Sequence, residues 1–267
     1  MPDAERLKRI ADRLRRAEEI DEDLRAARRR QLHMLPELPD MKDIELAASF
    51  RPVDDVGGDF YDVIRIGGHM LGVIVADVAG HGVEAALVMG MAIKAFQIYA
   101  RGVASPAMVL KAVNSELHGD LRGELFFTCA YAVYDERRKT VRVARAGHPP
   151  PVLLRPADDP PTSLVLPAGM AIGFDAGGLF DAAMGEETLE MRPGDTLILY
   201  TDGVTELPGG EGREGFDEAK LLGAVSTLGG LPASKVVESL DDLLENHLGS
   251  ATPFDDRTII AMGMPEG

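Results

Sequence analysis

Hydrophobic spacing divides the chain into stretches of different period. Between residues 4 and 33, Leu7, Ile10, Leu14, Ala17, Asp21 and Leu24 recur at steps of three and four in an otherwise charged run. This spacing predicts one long helix with a coiled-coil seam, interrupted at Asp21. Pro36 and Pro39 end it. The period then shortens to two: residues 44–50, 60–66 and 70–76 read as strands, the last two closed into a hairpin by Gly67-Gly68. A helical period returns over 83–101, where Ala85, Ala86, Met89, Ile93 and Phe96 share a face. Ser105-Pro106, an N-cap followed by proline at the first helical position, opens a second helix that runs to about 119.

Residues 126–134 and 140–146 form another predicted hairpin, followed by short strand-like pieces at 152–154, 163–166 and 187–191. Arg192-Pro193-Gly194-Asp195 is a turn, and 196–201 is a buried strand that ends in Asp202-Gly203. The stretch 209–215 holds four glycines and reads as a mobile loop. Helices over 217–227 and 233–248 precede a last strand at 257–262. Strands and helices are segregated rather than alternating. That order implies an α+β fold of antiparallel sheets with helix pairs outside, and no glycine-rich phosphate loop follows a strand.

Charge adds a boundary. The first 33 residues carry ten Lys/Arg and eight Asp/Glu, a balance of +2, while the rest of the chain stands at -18. Residues 1–33 are therefore read as a separate charged helix, and 34–267 as the main domain. The helix either packs on its own domain or serves as a dimerising or regulator-binding element. With 267 residues, 45% hydrophobic and 27% charged, the chain has the make-up of a globular protein. A net charge of -16 argues against nucleic acid or an anionic membrane as partner. The one cysteine, Cys129, lies in an apolar run, so no disulfide forms within the chain. The charged N-terminus and the lack of any 18-residue apolar run lead to the expectation of a cytoplasmic protein with no membrane contact.

Four places put an aspartate at the end of a predicted strand: Asp59, Asp77, Asp202 and Asp255-Asp256. The hairpin brings Asp59 and Asp77 to one end, where two carboxylates repel unless a cation or a proton lies between them. Hard divalent cations prefer such all-oxygen sites, so the set reads as one cluster for two Mg²⁺ or Mn²⁺ ions, with the Val78 carbonyl as a further candidate ligand. The competing reading is structural, since Asp-Gly is a common turn sequence. A two-metal site suits phosphate-ester hydrolysis by an activated water. No nucleophile for a covalent route stands out, because Cys129 lies in a strand.

Five segments carry a family resemblance: residues 54–62 (DDVGGDFYD), 77–86 (DVAGHGVEAA), 146–151 (AGHPPP), 200–206 (YTDGVTE) and 255–258 (DDRT). In this order they resemble the motif set of the SpoIIE/RsbU branch of the PPM-type, metal-dependent serine/threonine phosphatases, over about residues 34–262. The resemblance implies a four-layer αββα sandwich of two mostly antiparallel sheets flanked by helix pairs, preceded by an N-terminal helix. It implies that Asp77 bridges two Mn²⁺ or Mg²⁺ ions and that the Val78 carbonyl binds one of them. Asp202 and Asp255 would hold the second ion, with Asp256 as the alternate to Asp255, and Asp59 would contact it or position its waters. The implied substrate is a phosphorylated anti-sigma-factor antagonist in a bacterial partner-switching pathway.

The resemblance is incomplete. Family members often carry an N-terminal sensor domain, and here only the charged helix stands in that place. Input would then come from a regulator at that helix or from homodimerisation. His81 lies four residues after Asp77 and is a candidate general acid, set against a role at the helix start. His148 reads as a loop-fixing residue, Arg51 as a surface residue able to meet phosphate, and Arg257, beside the metal carboxylates, as a residue that tunes their charge or makes a salt bridge. Two other readings stay open: a catalytically weak regulatory binding module, and a metallohydrolase of small phosphate esters.

Overall fold

The computed structural model describes residues 2–121, 125–210 and 212–266. Helix α1 (Pro2–Leu32) leads into β1 (Glu45–Arg51), β2 (Phe60–Gly67) and β3 (Met70–Val78). Helices α2 (Gly82–Tyr99) and α3 (Pro106–Leu121) come next, then β4 (Phe127–Asp135), β5 (Thr140–Ala146), β6 (Val152–Leu154) and β7 (Thr162–Leu164). The chain ends through α4 (Gly178–Ala183), β8 (Glu187–Glu190), β9 (Thr196–Tyr200), α5 (Asp202–Thr205), α6 (Glu218–Ser226), α7 (Ala233–Leu248) and β10 (Arg257–Gly263).

The strands form two five-stranded sheets, ordered β1-β10-β9-β6-β7 and β2-β3-β4-β5-β8, and every strand pair in them is antiparallel. Strand β3 shows how the layers stack. Its Val73 and Val75 point into the core between the sheets, where they meet Leu197, Leu199 and Ile260. Ile74 and Ala76 point the other way, into a core shared with Met89, Ile93 and Phe96 of α2 and Leu110 and Val113 of α3. A third core joins the opposite sheet to α6 and α7 through Ile198, Ile259, Val236 and Leu240. Both faces of each central strand are buried, which is why these strands read as continuous apolar runs. The result is the expected four-layer αββα sandwich.

Several expectations need correction. Asp202-Gly203 follows β9 as expected, and it opens the short helix α5 rather than the turn of the competing structural reading. Helix α4 escaped the periodicity because it has only six residues; Asp175 creates it by accepting bonds from the N–H groups of Gly177, Leu179 and Phe180. The stretch 209–215 is not free in its described residues: Gly210 donates to the His247 carbonyl, and Arg213 donates to the Asn246 carbonyl. Glu211 lies outside the described residues, as does the side chain of Leu7 in the predicted seam. Helix α2, with 18 residues, reaches the length and mean hydropathy of a membrane span. Its buried face packs on the sheet, so it is the inner helix of a sandwich layer.

Candidate metal centre

The β2–β3 register sets the centre of the site. Phe60 pairs with Ala76, so Asp59 and Asp77 face each other at the next position outward. The opposite sheet delivers Asp202, two residues past the end of β9, and Asp255-Asp256, directly before β10. Tyr200 and Ile259 are paired across β9 and β10, which brings these two ends to the same edge of the sandwich.

Asp59 is 1% exposed and is held from the opposite sheet. Thr201 Oγ1 and Thr258 Oγ1 donate to its Oδ2 at 2.8 and 2.7 Å, and Thr201 Oγ1 accepts the Thr258 N–H at 3.0 Å. Asp256 has a different task. Its Oδ1 accepts the Val53 N–H at 2.8 Å, which pins the loop that leads to Asp59. Asp255 is exposed and accepts the Asp256 N–H at 2.8 Å.

The electrostatics of this edge are unfavourable without positive charge. Burial pushes the Asp59 carboxyl well above the carboxylate range, and the charges of Asp77 and Asp256 push it further, against the two threonine bonds. Burial is also the main cause at Asp77, followed by Asp202, Asp255 and Asp256; a hydrogen bond with Asp59 opposes them, and the group is pushed up to about 7. Asp202 is raised by burial, then by Asp255 and Glu206. Among the described residues, no three acidic or histidine side chains close on a single metal point. Asp59 and Asp77 instead bond to each other.

The donor set nevertheless fits divalent cations. It is all oxygen, as Mg²⁺ and Mn²⁺ prefer. Asp202 Oδ1 is buried and has no hydrogen-bond partner, an arrangement that is costly unless something binds it. Two glycines keep the edge open. A Cβ at Gly57 would stand 1.7 Å from Asp256 Oδ2, and one at Gly58 would stand 2.7 Å from the Val78 carbonyl oxygen.

The other candidates are spread around this centre. His81 is the exposed N-cap of α2, and its side chain makes no capping bond. His148 is buried; its Nδ1 lies 2.7 Å from Thr128 Oγ1, and Thr128 pairs with Asp77 across β3 and β4. Burial, and then the Arg145 charge, lower its pKa to about 3, so the ring is a neutral strut that fixes its loop. Arg257 pairs with Glu245, and Arg51 pairs with Asp241 at 3.1 Å. Sequence reasoning missed Thr201, Thr258 and Gln31. Both threonines lie inside the quoted segments, so only their roles were hidden. Gln31, 6% exposed on α1, exchanges hydrogen bonds with Gly57 and touches Met89 of α2.

Comparison with known proteins adds an independent line. The family model of SpoIIE, Stage II sporulation protein E, matches residues 67–265, which takes in Asp77, Asp202 and Asp255. The phosphoserine phosphatase RsbU of Bacillus subtilis is 29% identical over 182 residues, 68% of this chain and 52% of that protein. The SiaA-PP2C domain of Pseudomonas aeruginosa shares the fold at a TM-score of 0.80, with 24% identity over 93% of this chain and 98% of that one. The catalytic domain of the serine/threonine phosphatase PstP, solved with two manganese ions, shares the fold at a TM-score of 0.58 and 17% identity, over 84% of this chain and 99% of that one. The chain spans 41 to 52% of the length of the curated relatives it matches.

Proposed function

We infer the function from the premise that the chain belongs to the SpoIIE family, in the SpoIIE/RsbU branch of the PPM-type serine/threonine phosphatases. We propose that it hydrolyses a phosphoserine or phosphothreonine monoester on a protein. The observation that carries this reading is the meeting of carboxylates from four separate stretches at one sandwich edge, with the buried Asp202 Oδ1 left unpartnered. Asp59, Asp77, Asp202, Asp255 and the Val78 carbonyl would hold two Mn²⁺ or Mg²⁺ ions. Bound there, such ions supply an acidified water and positive charge for the phosphoryl oxygens.

The chain's own residues prepare the site. Thr201 and Thr258 fix Asp59 from the opposite sheet through Oδ2, so its other oxygen keeps one direction, toward Asp77. Asp256 spends an oxygen on the Val53 N–H while Asp255 is exposed, which favours Asp255 as the ligand of the pair. A covalent route through Cys129 has no support, because burial pushes its thiol far up and keeps it protonated. As substrate we propose a phosphorylated anti-sigma-factor antagonist, a reading supported by the likeness to RsbU. Residues 1–33 would serve as the regulatory helix or dimer contact, and 34–267 as the phosphatase unit in the cytoplasm.

The test is hydrolysis of p-nitrophenyl phosphate and of a phosphoserine peptide across a Mn²⁺ and Mg²⁺ series, with and without chelator. Metal-dependent turnover of both supports the proposal. Turnover of small esters alone points to a small-ester hydrolase, and no calorimetric Mn²⁺ binding points to a non-catalytic binding module.

A further inference from the structure

A second feature sits against the carboxylate edge. A cavity of about 450 Å³ opens between α1, the end of β1 and the segment before β10. Leu32, Phe50 and Val53 give it an apolar wall, and Arg28, Arg51 and Arg257 also line it. It adjoins the metal centre directly, since the Val53 N–H is the donor to Asp256 Oδ1.

The charge of this cavity runs against the rest of the molecule. In a chain of net charge -16, three guanidinium groups and a single carboxylate, Glu245, line one groove. Two of the three, Arg28 and Arg51, have exchangeable partners. Arg51, with its side chain 57% exposed, pairs with Asp241, and Arg28 reaches the Asp54 carbonyl at 3.1 Å and Asp55 at 3.8 Å. Arg257 is 5% exposed; one nitrogen pairs with the half-exposed Glu245, and Nη1 is buried with no hydrogen-bond partner. The pairs of Arg28 and Arg51, whose guanidinium side chains are exposed, contribute only about 0–1 kcal/mol each, so an incoming carboxylate can replace them, while Arg257 offers a buried N–H that has no acceptor.

We propose that this groove docks the substrate segment flanking the phosphorylated residue, and that it selects a segment carrying acidic and apolar side chains. The proposal rests on the phosphatase reading above. Arg28 lies on α1, so the N-terminal helix forms part of the recognition surface.

The experiment uses two phosphoserine peptides with the same apolar side chains, one flanked by Glu and the other by Lys, and the full chain as wild type and as Arg51→Glu. Each kcat/KM is normalised to turnover of p-nitrophenyl phosphate by the same protein. Wild type is expected to favour the Glu peptide by about fivefold, through KM, and Arg51→Glu to reverse the preference. No preference in the wild type, or an equal loss for both peptides in the variant, would overturn the docking site while leaving the phosphatase reading intact. Absence of turnover on every substrate would overturn both.

Discussion

The carboxamide of Gln31 pairs with both backbone polar groups of Gly57. Its Nε2 donates to the Gly57 carbonyl at 2.6 Å, and its Oε1 accepts the Gly57 N–H at 3.2 Å. One side chain of the N-terminal helix thereby fixes the loop in which Asp59 sits. Gln31→Ala leaves both groups of Gly57 buried without those partners, at a cost of roughly 1–3 kcal/mol. A lower denaturation midpoint is expected, together with weaker Mn²⁺ binding by calorimetry. A variant with wild-type metal affinity would show that the loop keeps its shape without the helix.

Asp77→Asn and Asp202→Asn each remove a proposed ligand. Turnover of p-nitrophenyl phosphate at saturating Mn²⁺ is expected to fall by on the order of 10²–10³, as for loss of a group that stabilises transition-state charge. Circular dichroism should stay native, because each change also removes one of several mutually repelling carboxylates. Turnover that survives both substitutions would rule out the proposed ligand set.

Acid should act through His148. Its folded pKa of about 3 lies below its ordinary value of 6.5, so the unfolded chain binds the extra proton between those pH values. The stability it contributes is present above pH 6.5 and is lost as pH falls toward 3. His148→Gln is expected to flatten this part of the stability profile, a difference on the order of a few kcal/mol. Parallel urea midpoints for the two proteins from pH 7 to pH 4 would contradict it.

The outer part of α1 offers an oligomerisation test. Ile10 is 46% exposed and Leu14 is 60% exposed, yet both lie in the predicted heptad phase. If this seam pairs two copies, the full chain is a dimer by light scattering, and the double change Ile10→Glu, Leu14→Glu makes it a monomer while Gln31 stays docked. The same mass for both proteins would assign the seam another role.

Gly57 and Gly58 show how steric demand links sequence to site. At the sequence level they mark only a permissive stretch beside Asp59. In the fold they are places where a Cβ would collide with Asp256 and with the Val78 carbonyl. An alanine at Gly57 is therefore expected to displace Asp256, at roughly 1–3 kcal/mol of overpacking cost. Thermal melts and Mn²⁺ affinity read this effect together.

The order of elements was legible in the sequence because hydrophobic period reports the local environment. β5, β6 and α7 follow the expected bounds; Asp59, Asp202 and Asp255-Asp256 flank strand ends as expected, while β3 runs on through Asp77 to Val78. Helices α4 and α5 were not legible: four to six residues are too few to show a period, and a single Asp175 side chain decides the first of them. Sequence alone therefore determined the layers and which aspartates stand beside strand ends. Tertiary structure decided how the donors are held. Thr201 and Thr258 reach Asp59 across separations of 142 and 199 residues, and Gln31 meets Gly57 from 26 residues away. Such contacts leave no periodic trace, since they exist only once two sheets and a helix pack at one edge.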